Sequence, residues 1–318
     1  NSGSSFALQA NTPNIFAYDM TGANATSGQS WYDLAITASP TNAEEIYIGG
    51  INVWKSTNGG VSYSIKSHWF FPPNVAYTHA DIHTLEMFGN RLYCGSDGGI
   101  FKSTNGGNSF ADLSDGLSIS QFYRIGGSEQ VPHKIIGGTQ DNGCNLVSNG
   151  DALHTNGGDG MEALISPHDS LVVYTSSQYG SFRRSDDGGY NFSGIFPTAS
   201  GTGAWVTPLA LNPQDNDMLL AGYEEVYMSL DKGNSDNAIS TLGLGAGVLL
   251  RNLAIAPSAG YSHFYASTYD RIFGTTNGSN WTEITAGLPN AAISSITVHP
   301  TQPLKVWVTL SGVQIGEK

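Results

Sequence analysis

An all-β fold, a seven-bladed β-propeller of four-stranded antiparallel blades, is what this sequence predicts, and three observations predict it. One turn motif recurs along the chain, its copies are spaced by nearly one period, and the segments between them read as short strands with no helix of three turns.

The motif is Ser-x-Asp/Asn-x-Gly-x-x-aromatic. It stands complete at Ser56, Asn58, Gly60 and Tyr63, at Ser103, Asn105, Gly107 and Phe110, and at Ser185, Asp187, Gly189 and Phe192. Two looser copies follow, one at Ser229, Asp231 and Gly233 with Asp236 in the aromatic's place, the other at Thr275, Asn277 and Trp281 and one residue short. The carboxylate or amide at the third position can bond N–H groups of its own turn, and the glycine permits a positive φ, so the box reads as a tight connection between two strands. Its final aromatic is expected to cover the blade edge. Between successive opening residues the intervals are 47, 82, 44 and 46 residues. The second is nearly two periods, which places a unit without its box between residues 120 and 160. A period of about 45 residues divides the chain into seven units.

In chain order, residues 31 to 66 supply WYDLAITASP, EEIYIGG, INVWKS and SYSIKS, each marked as a strand by alternation and by β-branched or aromatic enrichment. Residues 79 to 113 repeat the set with HADIHTLEMF, RLYCGS, GIFKS and SFADLS. The boxless unit runs ISQFYRIGG, KIIGGTQDNG, CNLVSNG and ALHTN, with SNGD where the box would be. Units follow at 161 to 196, 205 to 241 and 249 to 286, and a last one opens on ISSITVHP and VWVTLSG. That seventh unit is short of strands. Asn1 to Phe6 match the last six positions of a box, and FALQA reads as the outer strand that follows one. Residues 1–12 are therefore expected to complete the last blade and close a single domain over residues 1–318. A chain that begins halfway through its own repeat implies such closure or excision from a longer protein.

Composition narrows the partners. The formal charge is −13, and charged residues make up 12% of the chain, about half of the roughly 25% usual in soluble proteins. Nucleic acid and anionic membranes both need a basic footprint that this chain lacks, so a neutral, polar or cationic partner is expected. No run of 18 apolar residues stands in the sequence, and no membrane insertion is expected. The opening residues do not read as a secretory leader, so the sequence reads as a mature or excised form. Scarce lysine and Gly/Asn/Thr-rich turns point to a secreted or cell-surface location. Cys94 and Cys144 fall in adjacent expected blades, where a disulfide and two buried free thiols both fit.

The boxes resemble the Asp-box (BNR) repeat of sialidases, xyloglucanases and sortilin-type propellers. The phrases YDLAITASPTNAEEIYIGGINVWKSTNGG, HADIHTLEMFGNRLYCGSDGGIFKSTNGGNSF and GGTQDNG look most like the sortilin/xyloglucanase-type propellers of secreted bacterial multidomain proteins. The likeness covers essentially the whole chain. It implies a propeller whose boxes sit at blade peripheries, in enzymes and non-enzymes alike. Sialidases carry an Arg-Ile-Pro, which none of Arg91, Arg124, Arg183, Arg184, Arg251 and Arg271 occupies. Xyloglucanases of this type place one catalytic Asp on each of two propellers, and one propeller offers half such a cleft.

Candidate chemistry begins at His79-Ala80-Asp81-Ile82-His83. On a strand, residues two apart share a face, so His79, Asp81 and His83 would project together, a set that suits a transition metal or acid–base work. They equally suit hydrogen bonds in a water-filled channel. No second ligand group has recognisable spacing, so no metal and no cofactor is assigned. Aligning the first strands on their closing Pro or Gly groups Asp81, His83, Asp159, Trp205 and Arg251 on the channel face, an arrangement for a polar ligand or for ion pairs across water. Gln140 and Asp141, in Gln140-Asp141-Asn142-Gly143, and Gly157-Gly158-Asp159-Gly160 flank the blade that breaks the repeat, where binding loops are expected. Structural calcium is open in such loops, although no Asp-x-Asp-x-Asp-Gly occurs. The carboxylate pairs Glu44/Glu45, Asp186/Asp187 and Glu224/Glu225 are sequence neighbours and so face oppositely. No catalytic residue is assigned. The expected function is a non-catalytic module that binds a glycan or a peptide, or spaces neighbouring domains of a longer parent chain. The alternative is a glycoside hydrolase of xyloglucanase or sialidase kind.

Overall fold

The computed structural model describes residues 4–24, 26, 28–199 and 201–312. It is all-β, with six four-stranded antiparallel sheets and one two-stranded sheet among the described residues. The chain divides into two compact units, residues 1–119 and 120–318.

The first unit holds two sheets, Ala35–Ala38, Ile46–Gly49, Val53–Ser56 and Ser64–Ser67, then Ile82–Phe88, Arg91–Ser96, Gly99–Ser103 and Ala111–Asp112. Each is an up-and-down meander in which every strand pairs with its sequence neighbour. Their shared core is Ala35, Tyr47, Val53, Ile82, Leu85, Leu92, Cys94 and Phe101, and the box aromatic Phe110 packs against it.

Four more meanders make up most of the second unit. They are Phe122–Gly127, Lys134–Thr139, Gly143–Ser148 and Asp151–Asn156; Ala163–Ile165, Val173–Ser177, Ser181–Ser185 and Ser193–Gly194; Leu209–Leu211, Leu219–Gly222, Val226–Ser229 and Asn237–Ala238; and Asn252–Ile255, Phe264–Ser267, Ile272–Thr275 and Trp281–Glu283. The hairpin Ala292–Val298 with Val306–Ser311 follows. Sheets pack face to face in chain order. Val173 packs with Ile136 and Leu146 of the sheet before, whereas Val172 and Tyr174 pack with Leu209 and Leu219 of the sheet after. Leu219 and Ala221 face back in turn, and Met218 and Leu220 face forward onto Phe264. Burial on both faces is why the second strands read as unbroken apolar runs rather than as alternation.

Backbone bonds tie sheet to sheet within each unit. The carbonyl of Gly50 accepts from the Ile82 N–H at 2.8 Å, that of Tyr223 from Leu250 at 2.8 Å, and that of Tyr269 from Ile293 at 2.7 Å. Three equivalent turns thus anchor the start of the next sheet's first strand.

Four of the five boxes share one geometry. In the second, Ser103 Oγ accepts from the N–H groups of Asn105 at 3.4 Å and Gly107 at 2.9 Å, while Asn105 Oδ1 accepts from the Ser109 N–H at 3.0 Å. The same bonds recur at Ser56/Asn58/Gly60, Ser185/Asp187/Gly189 and Ser229/Asp231/Gly233. Thr275 and Asn277 keep a shortened version. In each case the box joins the third strand of a sheet to its fourth. Asp236, standing where an aromatic was expected, is buried and accepts from the Thr198 N–H at 3.0 Å. The boxless sheet makes the same connection with Asn149 and Gly150, whose φ values of 53° and 92° mark a two-residue turn that needs no box. Ser103→Ala should cost about 1–3 kcal/mol, because it orphans the buried Gly107 N–H. Urea unfolding of the variant checks this, and an unchanged midpoint would refute the structural role of the box serine.

Several expectations change. The expected strand HADIHTLEMF begins only at Ile82, and WYD precedes the first strand. Phe6 to Ala10, expected as an outer strand, form none, and Phe6 and Leu8 are exposed. Asn1 to Gly3, half of the split box, lie outside the described residues. Cys94 and Cys144 are buried, unbonded thiols, pushed by burial up to about 12 and about 11.

Candidate functional site

The first unit gathers carboxylates from three loops. Asp81, immediately before a strand, has φ 64°, so the strand alternation expected to align His79, Asp81 and His83 does not operate. His83 sits at a bulge between Ile82 and Thr84. The three side chains diverge accordingly. His79 Nδ1 bonds the Ala80 carbonyl, His83 Nε2 lies 2.7 Å from Asp97 Oδ1, and Asp81 Oδ1 accepts from Gln29 Nε2. Gln29 also donates to Asp33 Oδ2 at 3.4 Å, and Tyr32 donates to Asp97 at 2.6 Å. Asp33 is fully buried and Asp81 is 7% exposed. Burial, then the neighbouring Asp33 and Asp97 charges, lift Asp81 to about 7; burial lifts Asp33 to about 6. Both carboxyls therefore hold protons well above the usual carboxylate range. Asp33, Asp97 and Gln29 were not singled out by the sequence reading. Their signal was faint, since Asp33 and Asp97 sit in ordinary turn and strand-end contexts.

In the second unit, Trp205 and Arg251 line one cavity of about 310 Å³. Arg124, Asn252, Tyr269 and Ser294 share the lining, which among the described residues includes no carboxylate. Trp205 is held before any ligand arrives: its Nε1 donates to the Tyr123 hydroxyl at 3.1 Å, and its ring meets Tyr179 edge-on at 5.2 Å. Arg124 is committed to Glu162 at 3.2 Å and to the Tyr123 carbonyl at 3.0 Å. Burial nevertheless raises Glu162 to about 7, against the pull of Arg124. Arg251 lies over the Tyr269 ring, 5.6 Å from its centroid, and among the described residues it has no ion pair. Such a site can take an anionic group beside a flat apolar face.

Asp159 points elsewhere. It is 7% exposed and accepts from the Asp141 N–H at 2.9 Å and from Gln178 Nε2 at 2.6 Å. The two loops that flank the boxless sheet are bonded together, Gly143 N–H to the Gly158 carbonyl and Gly160 N–H to that of Thr139. The Gln140 N–H instead bonds the Gln121 carbonyl at 2.9 Å, just before the sheet's first strand. Asp159 is thus a brace: through Gln178 it steadies the turn whose Tyr179 N–H bonds the Trp205 carbonyl at 3.3 Å. Tyr269 and Arg124 escaped the sequence reading. Aligning second-to-third-strand turns would have found Tyr269, because it occupies the place of Gly50 and Tyr223.

No family model matches the chain, and no curated protein matches it. Propeller proteins among solved structures are similar to it at low identity. YCF48 from Cyanidioschyzon merolae is 12% identical over 87% of this chain and 92% of that one, with a TM-score of 0.45. YCF48 bound to D1 peptide is 13% identical over 86% and 91%, with a TM-score of 0.44. An ancestral GH74 enzyme is 18% identical over 84% of this chain and 33% of that one, with a TM-score of 0.37. Among the described residues no helix is long and apolar enough to cross a membrane.

Proposed function

We propose that this chain is a non-catalytic binding module, a seven-bladed Asp-box propeller of a secreted or cell-surface protein, and that its ligand enters the cavity of the second unit. The carrying observation is that cavity's lining: the uncommitted Arg251 and the preset Trp205, without a carboxylate. Most glycoside hydrolases, xyloglucanases included, need two carboxyl groups flanking the scissile bond, and the lack of any in this lining among the described residues favours recognition over cleavage. The repeat period and the five boxes support the Asp-box reading, and six meanders plus a hairpin support seven blades. Asp159 steadies Trp205 through Gln178 and Tyr179, whereas Gln140, Asp141, His83 and Asp81 lie outside this cavity's lining.

An array of glycans and peptides tests this. The wild-type chain should retain at least one ligand class, and Trp205→Ala should weaken that binding roughly tenfold or more by removing the stacking face. Binding indifferent to Trp205→Ala would place the ligand elsewhere and overturn the assignment. A polysaccharide hydrolysis screen should release no reducing ends; turnover that disappears in Asp81→Ala would replace the binding module with a hydrolase.

A further inference from the structure

We infer that the group seated in the second unit's cavity is a uronic acid residue of an acidic polysaccharide, an inference that rests on that cavity being the ligand site. The chain's formal charge of −13 opposes acidic ligands generally, so a local reversal of charge is informative. That reversal exists here: two of the six arginines line a cavity without a carboxylate. Arg124 is spent on Glu162, which leaves Arg251 as the cation for an incoming anion. A guanidinium matches a carboxylate's two oxygens with two parallel N–H donors, and it has already shed part of its water against Tyr269.

The rest of the lining suits a sugar ring. Trp205 and Tyr269 are 43% and 58% exposed, so two aromatic surfaces are open to the C–H face of a pyranose. Trp205 is already oriented by Tyr123 and Tyr179, so little ordering is left to oppose binding. Asn252 Nδ2 is bonded to Ser267 and to the Ile293 carbonyl, and the Ser294 hydroxyl is shared with Thr309 at 2.8 Å, so Asn252 brings its carbonyl oxygen and Ser294 the other half of its hydroxyl's bonding capacity to ring hydroxyls. Ser294 sits at the bulge between Ile293 and Ser295, and among the described residues the strands Asn252–Ile255 and Ala292–Val298 each stand at the edge of a sheet, so an acidic peptide is the occupant to be tested against the sugar. At about 310 Å³ the cavity is at the small end of ligand pockets, fitting one ring held at a time.

Titration calorimetry with galacturonate oligomers, their methyl esters, neutral galactose oligomers and acidic peptides tests this on wild type, Arg251→Gln, Arg251→Lys and Trp205→Ala. Galacturonate oligomers should bind, methyl esterification and Arg251→Gln should each weaken them roughly tenfold or more, and Arg251→Lys should recover part of the loss. Circular dichroism should be unchanged, since both side chains are exposed. Equal affinity for the esters, with binding still lost in Trp205→Ala, would overturn the uronate inference and leave the cavity as the ligand site. Acidic peptides binding through Arg251 in place of the oligomers would do the same. Binding untouched by either substitution would remove both the inference and the site beneath it.

Discussion

Alanine at position 138 should destabilise the second unit by about 3 kcal/mol or more, the upper range for overpacking in a closed core. Gly138 lies in the strand Lys134–Thr139, where the next sheet's entry segment passes directly over it. A Cβ there would stand 2.1 Å from the Met161 carbonyl oxygen and 2.6 Å from that of Gly160. Both are backbone atoms held by their own bonds, Met161 N–H to the Ser176 carbonyl and Gly160 N–H to that of Thr139, so neither can swing aside. Gly127 on the neighbouring strand is exposed and a Cβ there meets nothing within 4 Å. Its replacement by Ala should be neutral or should stabilise by up to about 1 kcal/mol, by restricting the unfolded chain. Urea unfolding of the two variants provides the comparison, and similar midpoints would refute the close-approach account of Gly138.

Raising the pH from 5 to 8 should weaken the first unit, and Asp81→Asn should abolish much of that loss. Asp33 and Asp81 hold their protons to about 6 and about 7 when folded, against 3.8 ordinarily. A carboxyl with a raised folded pKa contributes stability that is complete below about pH 4 and disappears as pH rises through 6 and 7. Ionising both would set two buried like charges side by side with one neutral amide, Gln29, between them. For the pair the loss over this window is on the order of 4 kcal/mol. Asparagine keeps the shape and neutrality of the protonated acid, so the variant should match wild type at pH 5 and exceed it at pH 8. Unfolding midpoints across this range measure it. A wild type that gains stability over the window, or a variant with the same slope, would contradict the account of two buried, protonated carboxyls.

The boxes, the missing box near residue 149 and the strand order were legible because each depends on neighbours a few residues apart. Ser103, Asn105 and Gly107 form one turn whatever surrounds it. Trp205 and Arg251 line one cavity for a related reason: the repeat places equivalent positions of successive sheets side by side. Where local geometry departs from the repeat, that logic failed. Asp81 leaves the strand in a left-handed conformation and His83 sits at a bulge, so two-residue alternation could not forecast their directions. Asp159 aligned with the others yet turned to brace Asp141 and Gln178, since its strand begins only at Ala163.

By itself, then, the sequence determined the repeating meander, the turn that links third strand to fourth, and a net charge of −13. Those follow from φ preferences, short-range hydrogen bonds and composition, all properties of contiguous residues. Tertiary structure alone decided which charges are spent and which are open. Glu162 neutralises Arg124 from 38 residues away while Arg251 is left on Tyr269, and Gln29 reaches Asp81 across 52. Pairings over such separations are set by how one sheet lies on the next, a geometry that no local pattern encodes.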